Sequence, residues 1–498
     1  MGNKKILIGM ILINLISIIS GFLRDSSIVI ALGATEISDI FMFIINLPTV
    51  LFSSIGWVIM STFLPTYVDL MVNKGKDIVN NFTNTFIKCI VIISSLFVVV
   101  LLIFNKVSIN ILAPGFKGEA FLLTKELFFI MVPSLIFLSI SSCFSAILNA
   151  NKKMLWVSLM GIPINVMTIF SMILVYPNYG IKYSTLVVLL GTFLQVLIFV
   201  IPLRKINFRF NKKFDIKDEN IKKLIYIIGP MFIGIMAQQI NSMFGGAITS
   251  TLEAGSLTAY NLSNKIVNAV YSSIILIAIN YIFTYLSHDY AKGEINKFNR
   301  KISSSANMII LVLLPLTLLL IKFNQEIISL LYGYGNFSRN DVLLTSRILI
   351  FSSIGIIFMG IRELINRSYY STKETKIPTI YSIIGIGFNI LLSLILCKRF
   401  GVLGVALAGS LSIVISAIGI CYKFQKDFNT ELVSFVSFIK YLGLTLVMYF
   451  IISFLKEVIQ FNMNYIVNMF IIGVISLFLY IILLFIFRIR IIDYIKEL

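Results

Sequence analysis

Seven ionisable side chains stand where the surrounding sequence is otherwise apolar. Arg24 and Asp25 follow the apolar run 6–23, and Asp39 opens the next apolar stretch. Lys265 lies in the eighth such stretch, and Arg362, Glu363 and Arg367 lie in the tenth. On insertion scales a charge at bilayer depth costs about 2.5–3.5 kcal/mol, so it needs a partner or a polar cavity. Arg24–Asp25 and Arg362–Glu363 are candidate local pairs, although successive helical residues point in different directions and pair imperfectly. Arg24 and Lys265 favour the other reading, a cationic cavity. Such a cavity suits an anion: arginine grips phosphate through a planar fork, lysine as a point charge. The chemistry indicated is holding a ligand, with no bond made or broken.

Other reactive types are sparse. Cys89, Cys143, Cys397 and Cys421 show no CxxC spacing, and His288 is the one histidine. Neither a metal site nor a disulfide is expected, and no cofactor. The glycine-bearing segments APG (113–115) and LYGYG (331–335) fall between apolar stretches and read as turns.

The elements that carry these residues follow from composition. The 498 residues are 58% hydrophobic and 13% charged, with mean hydropathy +0.97. Soluble domains are about 45–50% apolar and about 25% charged. A soluble enzyme, a disordered chain and a secreted disulfide scaffold are excluded. The expected fold is an all-α polytopic membrane protein of about 14 spans, the first near 6–32 and the last near 464–487. The net charge of +19 then reads as topology control and not as a nucleic-acid surface. With both termini in the cytoplasm, the inside segments hold 25 basic residues and the outside segments 8. Segment 204–223, with eight lysines and arginines among Asp215, Asp218 and Glu219, reads as a solvated linker able to touch anionic lipid.

The two halves resemble each other at an offset near 220. Ser53, Phe63 and Asp69 return as Ser273, Phe283 and Asp289; Ser158, Gly161 and Asn165 return as Ser382, Gly385 and Asn389. Six spans per copy makes the copies parallel. The expected layout is an N-lobe (1–203), the linker (204–223), a C-lobe (221–424), and a helix pair with tail (425–498). Transporters built from two such copies place substrate between them and alternate access.

Several motifs then carry a family resemblance. Residues 21–48, GFLRDSSIVIALGATEISDIFMFIINLP, resemble the opening of the MurJ (MviN-type) flippases of the MOP exporter superfamily. ILAPGF (111–116), LNANKK (148–153), LYGYGNFS (331–338) and STKETKIP (371–378) resemble later motifs of that family, in register from about residue 5 to 424. The resemblance implies two six-helix lobes plus two C-terminal helices in a bacterial cytoplasmic membrane, acting as a monomer. Their cationic cavity would flip undecaprenyl-pyrophosphate-linked peptidoglycan precursor, lipid II, with membrane lipids as the other partner. It assigns Arg24 and Asp39 to functional positions, with Asp25 beside them. It sets Lys265 where the family has an arginine and Arg362 near a basic position. Gln239, Asn241 and Asn389 are candidate polar cavity or ion contacts.

The chain also departs from the family. Ile18 stands for an arginine, LPTVLFSSIGWV (47–58) lacks an arginine pair and a glutamate, and Gly245 and Ser393 stand where some members have acidic sodium ligands. Sodium coupling is therefore disfavoured against membrane potential. Flipping of another polyprenyl-linked oligosaccharide, such as an exopolysaccharide unit, remains the alternative. A MATE-like exporter would want more acids within spans. A membrane glycosyltransferase or ligase would want acid–base residues on a sizeable outside loop, and no such loop exceeds about 20 residues.

Overall fold

The computed structural model describes residues 2–211, 214–215, 218–222, 224, 226, 243–458, 465–487 and 489. Gln239 and Asn241 lie outside them. All regular structure among the described residues is helical. Long apolar runs in hydrocarbon demand this, because only a helix satisfies every backbone group within its own segment. In chain order the helices are α1 (Gly2–Leu32), α2 (Glu36–Asn73), α3 (Lys76–Ile103), α4 (Asn105–Leu112), α5 (Glu119–Met131) and α6 (Ser134–Ala150). Then come α7 (Met154–Ser158), α8 (Ile162–Phe170) and, after a π turn at Ser171–Val175, α9 (Tyr176–Lys205). The chain continues with α10 (Ser256–Val270), a second π turn at Tyr271–Ile275, α11 (Leu276–Ala291), α12 (Ile295–Lys322) and α13 (Asn324–Tyr332). It ends with α14 (Arg339–Ser353), α15 (Ile356–Ser371), α16 (Lys376–Phe428), α17 (Phe435–Val458) and α18 (Tyr465–Ile486).

Ten stretches among the described residues are long and apolar enough to cross a membrane. Two of them, Met154–Lys205 and Lys376–Phe428, run 52 and 53 residues, over twice the ~20 that a bilayer needs. Each breaks at a glycine outside helical geometry, Gly180 or Gly401, which hold equivalent places in the two sequence copies. Gly191 then packs on Ile164 and Met167, and Gly385 on Ser416, so the chain folds back on itself in both places. The order α3–α6 also recurs as α12–α15.

The structure divides into two compact units, Met1–Thr258 with Tyr334–Ser338, and Ala259–Gly333 with Arg339–Leu498. In the first unit α6 turns a face of small residues, Ser139, Ser142, Ser145 and Ala146, inward. Gly56 of α2 lies against Ser142. Without a hydrophobic force between helices in lipid, such close backbone approach supplies the packing energy. Phe63, Phe82 and Phe86 stack beside it, with Phe63–Phe86 centroids 4.5 Å apart. In the second unit α17 and α18 pack on α12 through Leu311, Leu314, Tyr441, Met448 and Tyr480.

The linker from the end of α9 is largely exposed, Arg204, Lys205, Asn207 and Arg209 among its exposed residues, and it is also tied down. It is strapped along α3: Asn84 Nδ2 donates to the Arg209 carbonyl (2.9 Å), Asn211 N to Asn84 Oδ1 (3.1 Å), and Lys88 Nζ to the Asn211 carbonyl (2.8 Å). The second unit contains the counterpart. Asn299 Nδ2 donates to the Phe428 carbonyl (3.0 Å), and Ser303 Oγ and Asn307 Nδ2 to the Leu432 carbonyl (2.9 and 3.2 Å). Asn84 and Lys88 align with Ser303 and Asn307 at almost the repeat offset, so one device recurs in both copies. Loop carbonyls left near the apolar zone are costly, and these side chains satisfy them.

Candidate functional site

The expected site residues fall in two groups, one in each unit. In the first unit Arg24 Nε and Asp25 Oδ1 pair at 2.8 Å, with side chains 19% and 8% exposed. The local pair thus forms despite the angle between neighbours, because arginine is long enough to bend back. In the second unit Lys265 is half-buried on α10. Of the pairings open to Glu363, the adjacent Arg362 is not the one that forms: Glu363 takes Arg367 Nε at 2.9 Å. Residues four apart share a helix face and adjacent ones do not. Glu363 also bonds the Tyr271 hydroxyl, with Arg362 and Arg367 close by, and Arg367 stands 5.9 Å from the Phe283 ring. Asn389 accepts from Ser393 Oγ at 3.3 Å, and Gly245 is buried.

Asp39 occupies the most constrained position. It is 3% exposed. Its Oδ1 accepts from Thr258 N (2.7 Å) and Thr258 Oγ1 (2.6 Å), and its Oδ2 from Gly255 N (2.8 Å). The reason lies in how two equivalent helices begin. Helix α2 caps itself, Thr35 and Ser38 forming a reciprocal capping box. The counterpart of Thr35 in the second copy is Gly255, which has no side chain to cap α10. The first N–H groups of α10 therefore take a carboxylate from the other sequence copy, where the helix dipole also favours negative charge. Ser38 and its counterpart Thr258 join their hydroxyls at 3.0 Å beside it.

Around Asp39 the contacts cross over between copies. Gly115 packs so closely on the carbonyl of Ser250 that a Cβ there would collide with it. Gly335, the counterpart of Gly115, packs in the same way on the carbonyl of Ile30, itself the counterpart of Ser250. Gly335 has φ +61°, so two requirements exclude a side chain. Asn336 completes the end of α1, its N–H reaching the Ile30 carbonyl (3.0 Å) and its Nδ2 the Ala31 carbonyl (2.7 Å). Segments 30–39, 113–115, 250–258 and 334–338 thus form one interlocked clasp, all within the first unit. The two glycine turns expected from sequence are turns that dock. Sequence reasoning singled out Asp39 and missed its partners Gly255 and Thr258. The repeat offset that joins Ser38 to Thr258 and Gly115 to Gly335 was the available signal.

The described residues contain no cluster of three or more His, Cys, Asp or Glu able to hold a metal.

The chain is similar to known proteins in sequence and in overall fold. A family model described as lipid II flippase MurJ matches residues 28–476. A probable lipid II flippase MurJ from Buchnera aphidicola subsp. Baizongia pistaciae is 28% identical over 419 residues, 83% of this chain and 81% of that protein. One from Borreliella burgdorferi is 26% identical over 407 residues, 80% and 79% of the two chains. Among solved structures, a lipid II flippase MurJ in an inward closed conformation superposes with TM-score 0.81 at 24% identity, covering 96% of this chain and 98% of that one. An inward-facing MATE family multidrug resistance transporter of the MOP superfamily gives TM-score 0.69 at 13% identity, covering 85% and 98%. The family match takes in all four segments of the clasp, with Arg24 and Asp25 just ahead of it, and the chain belongs to the lipid II flippase MurJ family.

Proposed function

We propose that this protein flips undecaprenyl-pyrophosphate-linked peptidoglycan precursor, lipid II, from the inner to the outer leaflet of the bacterial cytoplasmic membrane. The carrying observation is the clasp, whose residues come from both sequence copies and lie inside the family match. Alternating access needs a closure that forms and breaks. A buried carboxylate on two helix-terminal N–H groups and one hydroxyl is strong when made and exchangeable for water when opened. Arg24, Lys265 and Arg362 hold the pyrophosphate in a cationic cavity, with Asp25 orienting Arg24 and Gln239, Asn241 and Asn389 as polar contacts. The protein acts as a monomer with fourteen spans and both termini in the cytoplasm, its lobes at 1–203 and 221–424 followed by the pair in 425–498. The ten apolar stretches, two of them double, support twelve of those spans, and helix α2 a thirteenth; the remaining one is the apolar run that the sequence shows in 221–250.

The test is complementation of a strain depleted of its lipid II flippase. Wild type restores growth, Lys265→Ala does not, and Lys265→Arg does. In reconstituted vesicles flipping persists without sodium and collapses when the membrane potential is dissipated, which acts on mobile charge at about 2.3 kcal/mol per charge per 100 mV. A strict sodium requirement overturns the coupling, and growth on Lys265→Ala overturns that residue's role. A second reading, another polyprenyl-linked oligosaccharide as cargo, is favoured by Ile18 and by the cation-free stretch 47–58. Failure of wild type to complement, with flipping of such a lipid in vesicles, selects it.

Topology has its own check. Single cysteines placed at 206–211 stay unlabelled by impermeant reagent in intact cells, and one at Lys117 is labelled. The reverse pattern inverts the orientation.

A further inference from the structure

Exposed faces of the apolar helices are themselves apolar almost everywhere. On α3 the exposed residues include Ile92, Ile93, Leu96, Val99, Val100 and Ile103; on α9, Tyr183, Leu186, Leu190, Phe193, Leu197 and Ile201. That is what a lipid-facing surface requires. The helix formed by α10, its π turn and α11 breaks the pattern. Its buried side is ordinary: Ile275, Ile279, Ile282 and Leu286. Its exposed side carries Ser273, Ile277, Asn280, Tyr281, Thr284, Tyr285 and His288. Tyr281 is 63% exposed, and its hydroxyl meets that of Tyr285 at 3.0 Å, with ring centroids 5.1 Å apart. Aromatic residues near a bilayer surface serve as anchors, but anchoring leaves Ser273, Asn280 and Thr284 on the same face unexplained. Polar groups in a row along a spanning helix mark a path for something polar.

We propose that this stripe binds the sugar portion of the lipid-linked substrate, an inference that rests on the flippase reading above. The two tyrosines offer broad faces for the C–H surfaces of sugar rings, with hydroxyls at their edges. Asn280 and Thr284 supply both donors and acceptors, which is what ring hydroxyls ask for. The exposed stripe carries no carboxylate; its nearest cations are His288 at one end and Lys301, which lies 5.2 Å from the Tyr285 ring centre and is already paired with Asp289 at 2.7 Å, so the stripe suits a neutral polar ligand better than a phosphate. It is also continuous with the charged group. At about 1.5 Å per residue, Ser273 lies about 12 Å beyond Lys265 along the helix, and Asn280 about 22 Å. Tyr271, between Lys265 and Ser273, meets Glu363 and the arginines near it. A pyrophosphate at Lys265 and an oligosaccharide laid along 273–285 follow one helix in the order the substrate itself is built.

The test uses the full chain reconstituted in vesicles, with two probes: undecaprenyl pyrophosphate, and undecaprenyl pyrophosphate bearing a disaccharide. The double substitution Tyr281→Leu with Tyr285→Leu keeps an apolar surface but removes rings and hydroxyls. The expected result is a Kd about tenfold higher for the disaccharide lipid and less than about twofold changed for the sugar-free lipid. Asn280→Ala with Thr284→Ala gives the same selective loss at an unchanged unfolding temperature. Equal weakening for both probes, as simple membrane anchoring predicts, overturns the proposal, and so does no change for either. Wild type that binds neither probe refutes the flippase reading instead.

Discussion

Asp39→Ala abolishes flipping in reconstituted vesicles while the protein still inserts and purifies as wild type does. The carboxylate accepts three hydrogen bonds at 2.6–2.8 Å. Bonds to a charged group are worth about 1.5–3 kcal/mol each, and orphaning a buried donor costs about 1–3 kcal/mol. The alanine variant strands the N–H groups of Gly255 and Thr258, and Gly255 has no side chain to replace the cap. The closed clasp then loses its principal polar link, and its population against open forms falls more than about a hundredfold. Asp39→Asn keeps one acceptor oxygen, loses the charge and sets an NH2 against a donor, so it recovers only part of the rate. A cysteine pair at Ser38 and Thr258 reads the same event, cross-linking readily in wild type and poorly in the alanine variant. Wild-type flipping by Asp39→Ala removes the clasp from the mechanism.

Arg24→Ala also ends flipping, and a companion variant tells why. The salt bridge to Asp25 is largely buried, with the aspartate side chain 8% exposed. Removing the arginine takes the ion-pair partner from a buried carboxylate, which by itself is destabilising. Arg24→Ala with Asp25→Asn removes that burden. If Arg24 holds pyrophosphate, the double variant is stable but still inactive, and Arg24→Lys recovers only part of the rate because the bidentate fork is gone. Restored flipping in the double variant assigns Arg24 to structure alone.

The sequence by itself determined the fold class, the repeat and where charges stand among apolar residues. Long apolar runs leave a chain no option but helices in a bilayer, and a charge among them carries a cost readable from its position alone. The tertiary structure decided which partner each charge takes. Glu363 turned to Arg367 because side-chain direction, and not adjacency, sets contact on a helix. The hold of Asn84 and Lys88 on the linker has no local sign, since nothing near them in sequence shows that a segment far along the chain lies across them. The clasp is the clearest case. Gly255 reads as a plain turn residue, and Asp39 as an isolated acid at a helix start. Only the fold brings them together, because a missing helix cap is a local deficit that a distant side chain fills, and distance along the chain holds no record of it.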